Sequence, residues 1–419
     1  MSSRPGSLWR HAGFGKLWTG QTVSVLGSQI TALALPLTAA VILQATPFQM
    51  GTLAAVERLP YLLIGLPAGA WIDRWRRRPV LVAADFGRAA LLLGIPLAAS
   101  IGALTFELLC GVALLVGTLT VFFDLAYLTL LPSLVPPDRL VAGNSRLQAS
   151  ESAAQVVGPG LAGALIGILG APMVIAIDAG SFVLSGCLLA SIRTPEAAPA
   201  PREQRQGVWR EIAEGMRWLL GHPLLRALAA MSATSALFGY VFLAVYVLFL
   251  TRELGLDPLA IGAVLGVGGL GALVGALAAE PLARRHGPGP TIMWAELALG
   301  AGNALVLLAI WAPTMAVPLS AASEFAAWLA LQVRDVNAVS VRQALTPDRL
   351  RGRVNASFRF LVWGSMPIGG ILGGILGEWV GLAPTLAVGV VGMLLASLWA
   401  VLSPIRALRE QPLTNAGSG

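Results

Sequence analysis

The chain has 419 residues, of which 56% are hydrophobic and only 12% charged, with a net charge of +7. So few charges cannot make the surface of a soluble domain. The positive balance does not point to nucleic acid either, because it is spread over short segments beside apolar runs, where anionic lipid headgroups attract it.

The first residues, Met1 to Lys16, are polar and basic, and the apolar run after them is too long for a signal-peptide core. Twelve apolar runs follow, each of about 20 residues or more, the length that crosses a ~30 Å hydrocarbon core as helix. They lie at 18–43, 48–71, 80–103, 106–131, 145–169, 171–191, 226–250, 258–281, 290–311, 314–339, 356–380 and 382–402. The pattern predicts an all-α membrane protein with twelve transmembrane helices. Between the sixth and seventh runs, RTPEAAPAPREQRQG (193–207) reads as a proline-rich linker. Val208, Ile212, Met216, Leu219 and Leu220 then fall on one face of an amphipathic helix expected at the membrane surface.

If the spans alternate, 23 of the 28 Lys and Arg residues collect on the side of the N-terminus. Arg58, Arg88, Arg334 and Arg359 fall inside spans, and Arg252 alone lies on the opposite side. The expectation is a multi-pass protein of the inner (plasma) membrane with both termini cytoplasmic.

The sequence also repeats. GLPAGAWIDR (65–74) is followed 210 residues later by GALAAEPLAR (275–284), and Pro137-Asp138-Arg139-Leu140 recurs as Pro347-Asp348-Arg349-Leu350. With one residue of slip, Asn144 stands over Asn355, Gly158 over Gly369 and Gly163 over Gly374. Matches in register with twelve spans indicate duplication, and parallel six-helix repeats are a known transporter architecture. Two six-helix bundles related by a pseudo-two-fold axis are expected, over residues 1–192 and 223–419, joined by a cytoplasmic linker with its amphipathic helix at 193–222.

The segment from Gly69 to Arg78, GAWIDRWRRR, resembles the major facilitator loop motif G-x-x-x-D-R-x-G-R-R, with Arg76 where that family has Gly. The resemblance implies a gating latch formed by Gly69, Asp73, Arg74, Arg77 and Arg78. Ala154 to Gly163 resembles the family's antiporter signature G-x3-G-P-x2-G-G through Gly158, Pro159 and Gly163, which implies export. Small residues that simply allow close helix contact are the alternative. DAGSF (178–182) and VRQALTPDRLRGRVNASFRF (341–360) are most similar to the enterobactin-exporter-like and macrolide-efflux-like branch of that family.

Ionisable residues inside lipid are costly and therefore functional candidates. Glu57, Arg58 and Glu324 approach the membrane midplane, and Asp335 shares a helical face with Glu324 and Trp328. Coupling candidates are Glu57, Arg58, Asp124, Glu151, Glu324 and Asp335. A cross-half pair of Asp124 or Glu151 with Arg334 or Arg359 would close the cytoplasmic side. Asp85, Arg88, Asp178 and Glu296 fall in spans that the resemblance places outside the cavity. They are expected to hold helices together, Asp85 with Arg88 as a local pair. A stripe of Gln21, Ser24, Ser28 and Thr31 facing Phe238, Phe242, Tyr246 and Trp328 would suit an amphipathic, aromatic or cationic solute.

No G-x-x-x-x-G-K-[ST] phosphate loop occurs, and His11, His222 and His286 lack catalytic company, so no enzyme, metal or cofactor is expected. The reading is a monomeric secondary transporter exporting a small amphipathic molecule of the drug, antibiotic or siderophore class by proton antiport. Its partners would be that solute, protons and membrane lipids. A nutrient-uptake symporter and a transport-inactive sensor are the alternatives.

Overall fold

The computed structural model describes residues 12–72, 75–136, 139–193 and 208–410. Six long helices come first: α1 (Ala12–Leu37), α2 (Pro47–Ile72), α3 (Arg77–Ser100), α4 (Phe106–Leu134), α5 (Leu140–Leu169) and α6 (Ala171–Ala190). A shorter helix, α7 (Val208–Gly221), precedes six more: α8 (Pro223–Leu248), α9 (Pro258–His286), α10 (Pro288–Ala304), α11 (Ala316–Leu345), α12 (Arg351–Val380) and α13 (Leu382–Val401). Eleven helical segments among the described residues are long and apolar enough to cross a membrane. The twelfth expected span, α2, is a helix of 26 residues.

The face where α1 begins and α13 ends is here called the near face, and the opposite one the far face. Helices α1 to α6 pack among themselves, as do α8 to α13, and the two sets meet along α2–α12 and α5–α9. The repeat is visible in the backbone at an offset of 211. A π-helical turn at Thr38–Ile42 ends the first span, and its counterpart at Phe249–Glu253 ends the seventh. Gly170 and Gly381, both at positive φ, make the one-residue links α5–α6 and α12–α13.

Both inter-half seams are closest towards the far face, and both are made by glycine. A Cβ added to Gly163 of α5 would lie 2.4 Å from the Pro258 carbonyl oxygen and 3.0 Å from Gly262 Cα on α9. One added to Gly51 of α2 would lie 2.4 Å from the Gly370 carbonyl oxygen and 2.6 Å from Gly374 Cα on α12. Gly163 and Gly374, like Gly51 and Gly262, are repeat counterparts, so one contact is built twice. Proline adds to the α5 seam. Pro159 leaves the Gln155 carbonyl without its helical donor, and this oxygen faces Gly269 of α9. Polar contacts close the same side: Arg252 Nη2 donates to the carbonyl oxygens of Ala45 at 2.9 Å and Ala40 at 3.3 Å, and Phe48 N–H donates to Glu378 Oε2 at 3.3 Å.

Helix α7 packs its apolar face on the second half. Leu219 is fully buried among Leu225, Val354 and Phe358 in the near-face core, and Glu214 pairs with Arg353 and, at 3.7 Å, with Arg349. The apolar stripe therefore binds α12, while Leu220 remains exposed.

Gly374→Val drives a side chain into the backbone of α2 and pries the far seam apart. In a background lacking Cys110 and Cys187, maleimide labelling of Ala55→Cys, buried against Gly370, is expected to rise severalfold when Gly374→Val is added. Unchanged labelling would show that the glycine seam does not hold the far face closed.

Candidate functional site

A cavity of about 100 Å³ lies between the halves on the near-face side. Tyr61 and Gly65 of α2, Val121, Asp124 and Leu125 of α4, and Ala356, Arg359, Phe360 and Trp363 of α12 line it. Each is set back from a near-face helix end, so the opening lies opposite the glycine seams. Tyr61 donates its hydroxyl to Asp124 Oδ2 at 2.8 Å and meets the Trp363 ring edge-on at 4.7 Å between centroids. The Arg359 guanidinium stacks 3.9 Å from the Trp363 ring centre. An acid from one half and a base from the other thus share one aromatic-walled space, held by a tyrosine and a tryptophan.

The expected pairing of Asp124 with Arg334 does not form. Arg334 is committed within its own half, donating to Glu296 Oε2 at 2.7 Å, Ser235 Oγ at 2.9 Å and Asp335 Oδ1 at 2.8 Å. Glu296 is fully buried, and the mutual attraction of the two charges offsets the cost of taking them out of water. Of the two arginines proposed for inter-bundle contact, only Arg359 reaches the space between the halves. Glu151 lies exposed on α5, near Tyr127 and away from both. Glu57 is half-buried with its backbone carbonyl against Gly117 of α4, while Arg58 is exposed along α2 and extends towards Tyr240 of α8.

Glu324 is buried on α11, accepting a 2.9 Å hydrogen bond from Trp328 Nε1, with Gly268 of α9 and the Tyr246 side chain beside it. Trp328 is 44% exposed, so this face of α11 is not fully covered. The expected polar and aromatic walls are only partly realised. Thr31 turns to α6, donating to Asp178 Oδ2 at 2.5 Å, and Ser24 bonds back to the Gln21 carbonyl. Gln21 is buried, and Ser28 shares the helical face of exposed Ala32. Phe238 and Phe242 press on Gly392 and Gly389 of α13, not on a central cavity. Polarity at three- and four-residue steps identifies one face of a helix but not the neighbour it meets.

Of the loop latch, Asp73 and Arg74 lie outside the described residues. Gly69 is in the last turns of α2, and Arg77 begins α3. Arg78 donates through Nε to the Leu189 carbonyl at 3.1 Å and through Nη2 to that of Ala190, so it caps α6 within its own half. Within the signature on α5, Gly158 admits Gln29 of α1, while the Pro159 carbonyl and Gly163 face Gly262. Sequence reasoning missed Tyr61 and Trp363, and noted Glu378 only as an ionisable residue within a span. It noted Arg252 as the sole basic residue of the far side without drawing its role, although that isolation was the signal.

The Major Facilitator Superfamily profile matches residues 17–333 and 228–418. The chain belongs to this superfamily. As a major facilitator protein it is a multi-pass membrane transporter and not an enzyme. It is 29% identical over 400 residues to the multidrug efflux pump Tap of Mycolicibacterium fortuitum, covering 93% of this chain and 94% of that one. It is 25% identical over 238 residues to macrolide efflux protein A of Streptococcus pyogenes, covering 56% and 57%. Among solved structures, a bacterial homologue of the iron transporter ferroportin matches in its inward-facing state with a TM-score of 0.71 at 20% identity, covering 94% of this chain and 99% of that one. The outward-facing state of a bacterial ferroportin homologue matches at 0.61, covering 93% and 98%.

Arg334→Met strands the Glu296 charge in a closed site and is expected to cost about 3–5 kcal/mol. Adding Glu296→Gln should recover most of the loss, read as melting temperature in detergent. Additive destabilisation would show that the pair is not the dominant contact.

Proposed function

We propose that this major facilitator protein exports a small amphipathic organic molecule of the drug, antibiotic or siderophore class, by proton antiport and alternating access. The observation that carries the reading is the cavity between the halves, open near one face while glycine seams close the other. Tyr61, Trp363 and Phe360 offer apolar faces to an aromatic solute, and Asp124 and Arg359 offer charges of both signs. The relatives named as multidrug and macrolide efflux proteins support the solute class and direction. So do Gly158, Pro159 and Gly163, whose helix lies on the seam that must part in each cycle.

In this reading the near face is cytoplasmic, because it carries the basic loops, and the membrane is the inner (plasma) membrane. The bundles at 1–192 and 223–419 rock about the cavity, with 193–222 as the connection between them. Asp124 and Arg359 approach when the near side closes, and the loop around Asp73, Arg74, Arg77 and Arg78 latches that movement. Glu324, gripped by Trp328, is the carboxylate that exchanges a proton against solute, with Glu57 and Asp335 as further candidates. The protein works as a monomer among anionic lipids.

Inverted membrane vesicles energised with a pH gradient are expected to accumulate a cationic dye, with Glu324→Gln reducing accumulation roughly tenfold. Accumulation that survives collapse of the gradient would sink proton antiport, and accumulation by intact cells would reverse the direction. Exchanging Asp124 and Arg359 should restore activity lost in either single charge reversal; failure to rescue would remove the closing pair.

A further inference from the structure

The repeat allows each position in one half to be compared with its counterpart in the other, and one comparison is unequal. In the second half, at the α8–α13 contact, Phe238 and Phe242 fill the space left by Gly392 and Gly389. The counterparts of these four residues in the first half, 211 positions earlier, are Gly27, Thr31, Ser181 and Asp178. There, α1 approaches so closely at Gly27 that an added Cβ would lie 2.4 Å from Ser181 Oγ and 2.5 Å from Asp178 Oδ1. The same bundle geometry is thus satisfied by aromatic rings in one half and by a carboxylate in the other. Packing does not require the charge at Asp178.

The carboxylate is also surplus electrically. Asp85 of α3 and Glu296 of α10 are repeat counterparts, both fully buried, and each has one arginine: Arg88 for Asp85 at 2.5 Å and Arg334 for Glu296 at 2.7 Å. Arg334 stands at the counterpart of Phe123, and Arg88 reaches that place from α3, its guanidinium 4.2 Å from the Phe123 ring centre and 4.1 Å from that of Phe182. Asp178, 1% exposed, is a second carboxylate beside the one guanidinium. The charged groups that act on it are Arg88 and Asp85 of α3, and its hydrogen bonds come from the Thr31 hydroxyl of α1 and the Ser181 hydroxyl at 3.0 Å. Asp85 Oδ2 and Ser185 Oγ, both fully buried, face each other without a hydrogen bond of ordinary geometry. Two carboxylates and one guanidinium leave a net negative charge where an unpaired charge is strongly disfavoured.

We propose that the Asp85–Arg88–Asp178 cluster between α1, α3 and α6 is a proton-binding site, separate from the cavity between the halves, that reports its occupancy to α1 through Thr31. The bound proton makes one of the two carboxyls neutral and leaves the other paired with Arg88. When the proton leaves, the excess charge must draw in a donor, and the nearest movable one is Thr31. A proton fits better than a metal ion, because the Asp178 oxygens are already occupied by hydroxyl donors from within the cluster. The DAGSF segment thereby acquires a function: Asp178 and Ser181 hold the proton site, and Phe182 backs the guanidinium. The coupling role rests on the export reading above, whereas proton binding stands without it.

Infrared spectroscopy of the purified full-length protein at neutral pH tests the site directly. The wild type should show the band of a neutral buried carboxyl, which persists in Glu324→Gln and disappears in Asp178→Asn. It should disappear also in Asp85→Asn, because Arg88 then neutralises Asp178. Should the single variants misfold, Thr31→Phe with Asp178→Gly copies the Phe242–Gly389 contact into the first half and removes the charge with packing kept. A band unchanged in all these variants would overturn the site. So would a wild type without the band but stabilised by sodium, which would put a metal cation there. In proteoliposomes, the grafted variant should retain dye exchange without a gradient and lose gradient-driven accumulation roughly tenfold. Wild-type accumulation would overturn the coupling role. A wild type that moves no dye at all would fail the export reading while leaving the infrared result to decide the site.

Discussion

The architecture depends on glycine meeting glycine across the boundary between halves, Gly51 with Gly374 and Gly163 with Gly262. Lipid surrounds these helices, so there is little hydrophobic gain in bringing them together, and association relies on close packing of backbone against backbone. Only a residue without Cβ permits the approach seen here. Because both seams run towards the far face, the halves splay on the near side, and the cavity lined by Asp124 and Arg359 is the space that results. Arg252 and Glu378 reinforce the closed side through backbone groups at helix ends.

Buried charge follows a second rule. Among the described residues, each half keeps an ion pair away from water at repeat-related positions, Asp85 with Arg88 and Glu296 with Arg334, although the arginine is supplied by different helices. Such pairs stabilise little in sum, but losing one partner is severe; Arg334 ties α11 to α10 and α8, whereas Asp85 and Arg88 both stand on α3, and Arg88 meets α4 and α6 through the Phe123 and Phe182 rings. The departure from symmetry at Asp178 is then informative, since the second half packs the equivalent space with phenylalanine.

The resemblance motifs change meaning once the helices are placed. The small residues of α5 are spread over two contacts: Gly158 receives α1 within its half, whereas Gly163 and the carbonyl oxygens of Gln155 and Pro159 face α9 across the boundary. The residues that resemble the directional signature thus also form the α5 side of the seam between the halves. Arg78, read as part of a latch, caps the end of α6 and so ties the loop to its own bundle.

Much of this was legible in the chain. Crossing a membrane requires some twenty apolar residues in a helix that satisfies its own backbone, a local demand written along the sequence, so the spans and the duplication can be read from it. The rotation of each helix about its axis is not local. Thr31 and Phe242 were expected at a cavity and instead face neighbouring helices, because Asp178 and Gly389, each 147 residues further along the chain, occupy the adjoining surface. Arg334 was free to pair with Asp124 until folding brought Glu296 to 2.7 Å. The sequence by itself determined how many helices there are and that they form two copies of one design. Only the tertiary structure decided which face of each helix meets which partner, because close packing between distant segments sets that choice and hydropathy does not record it.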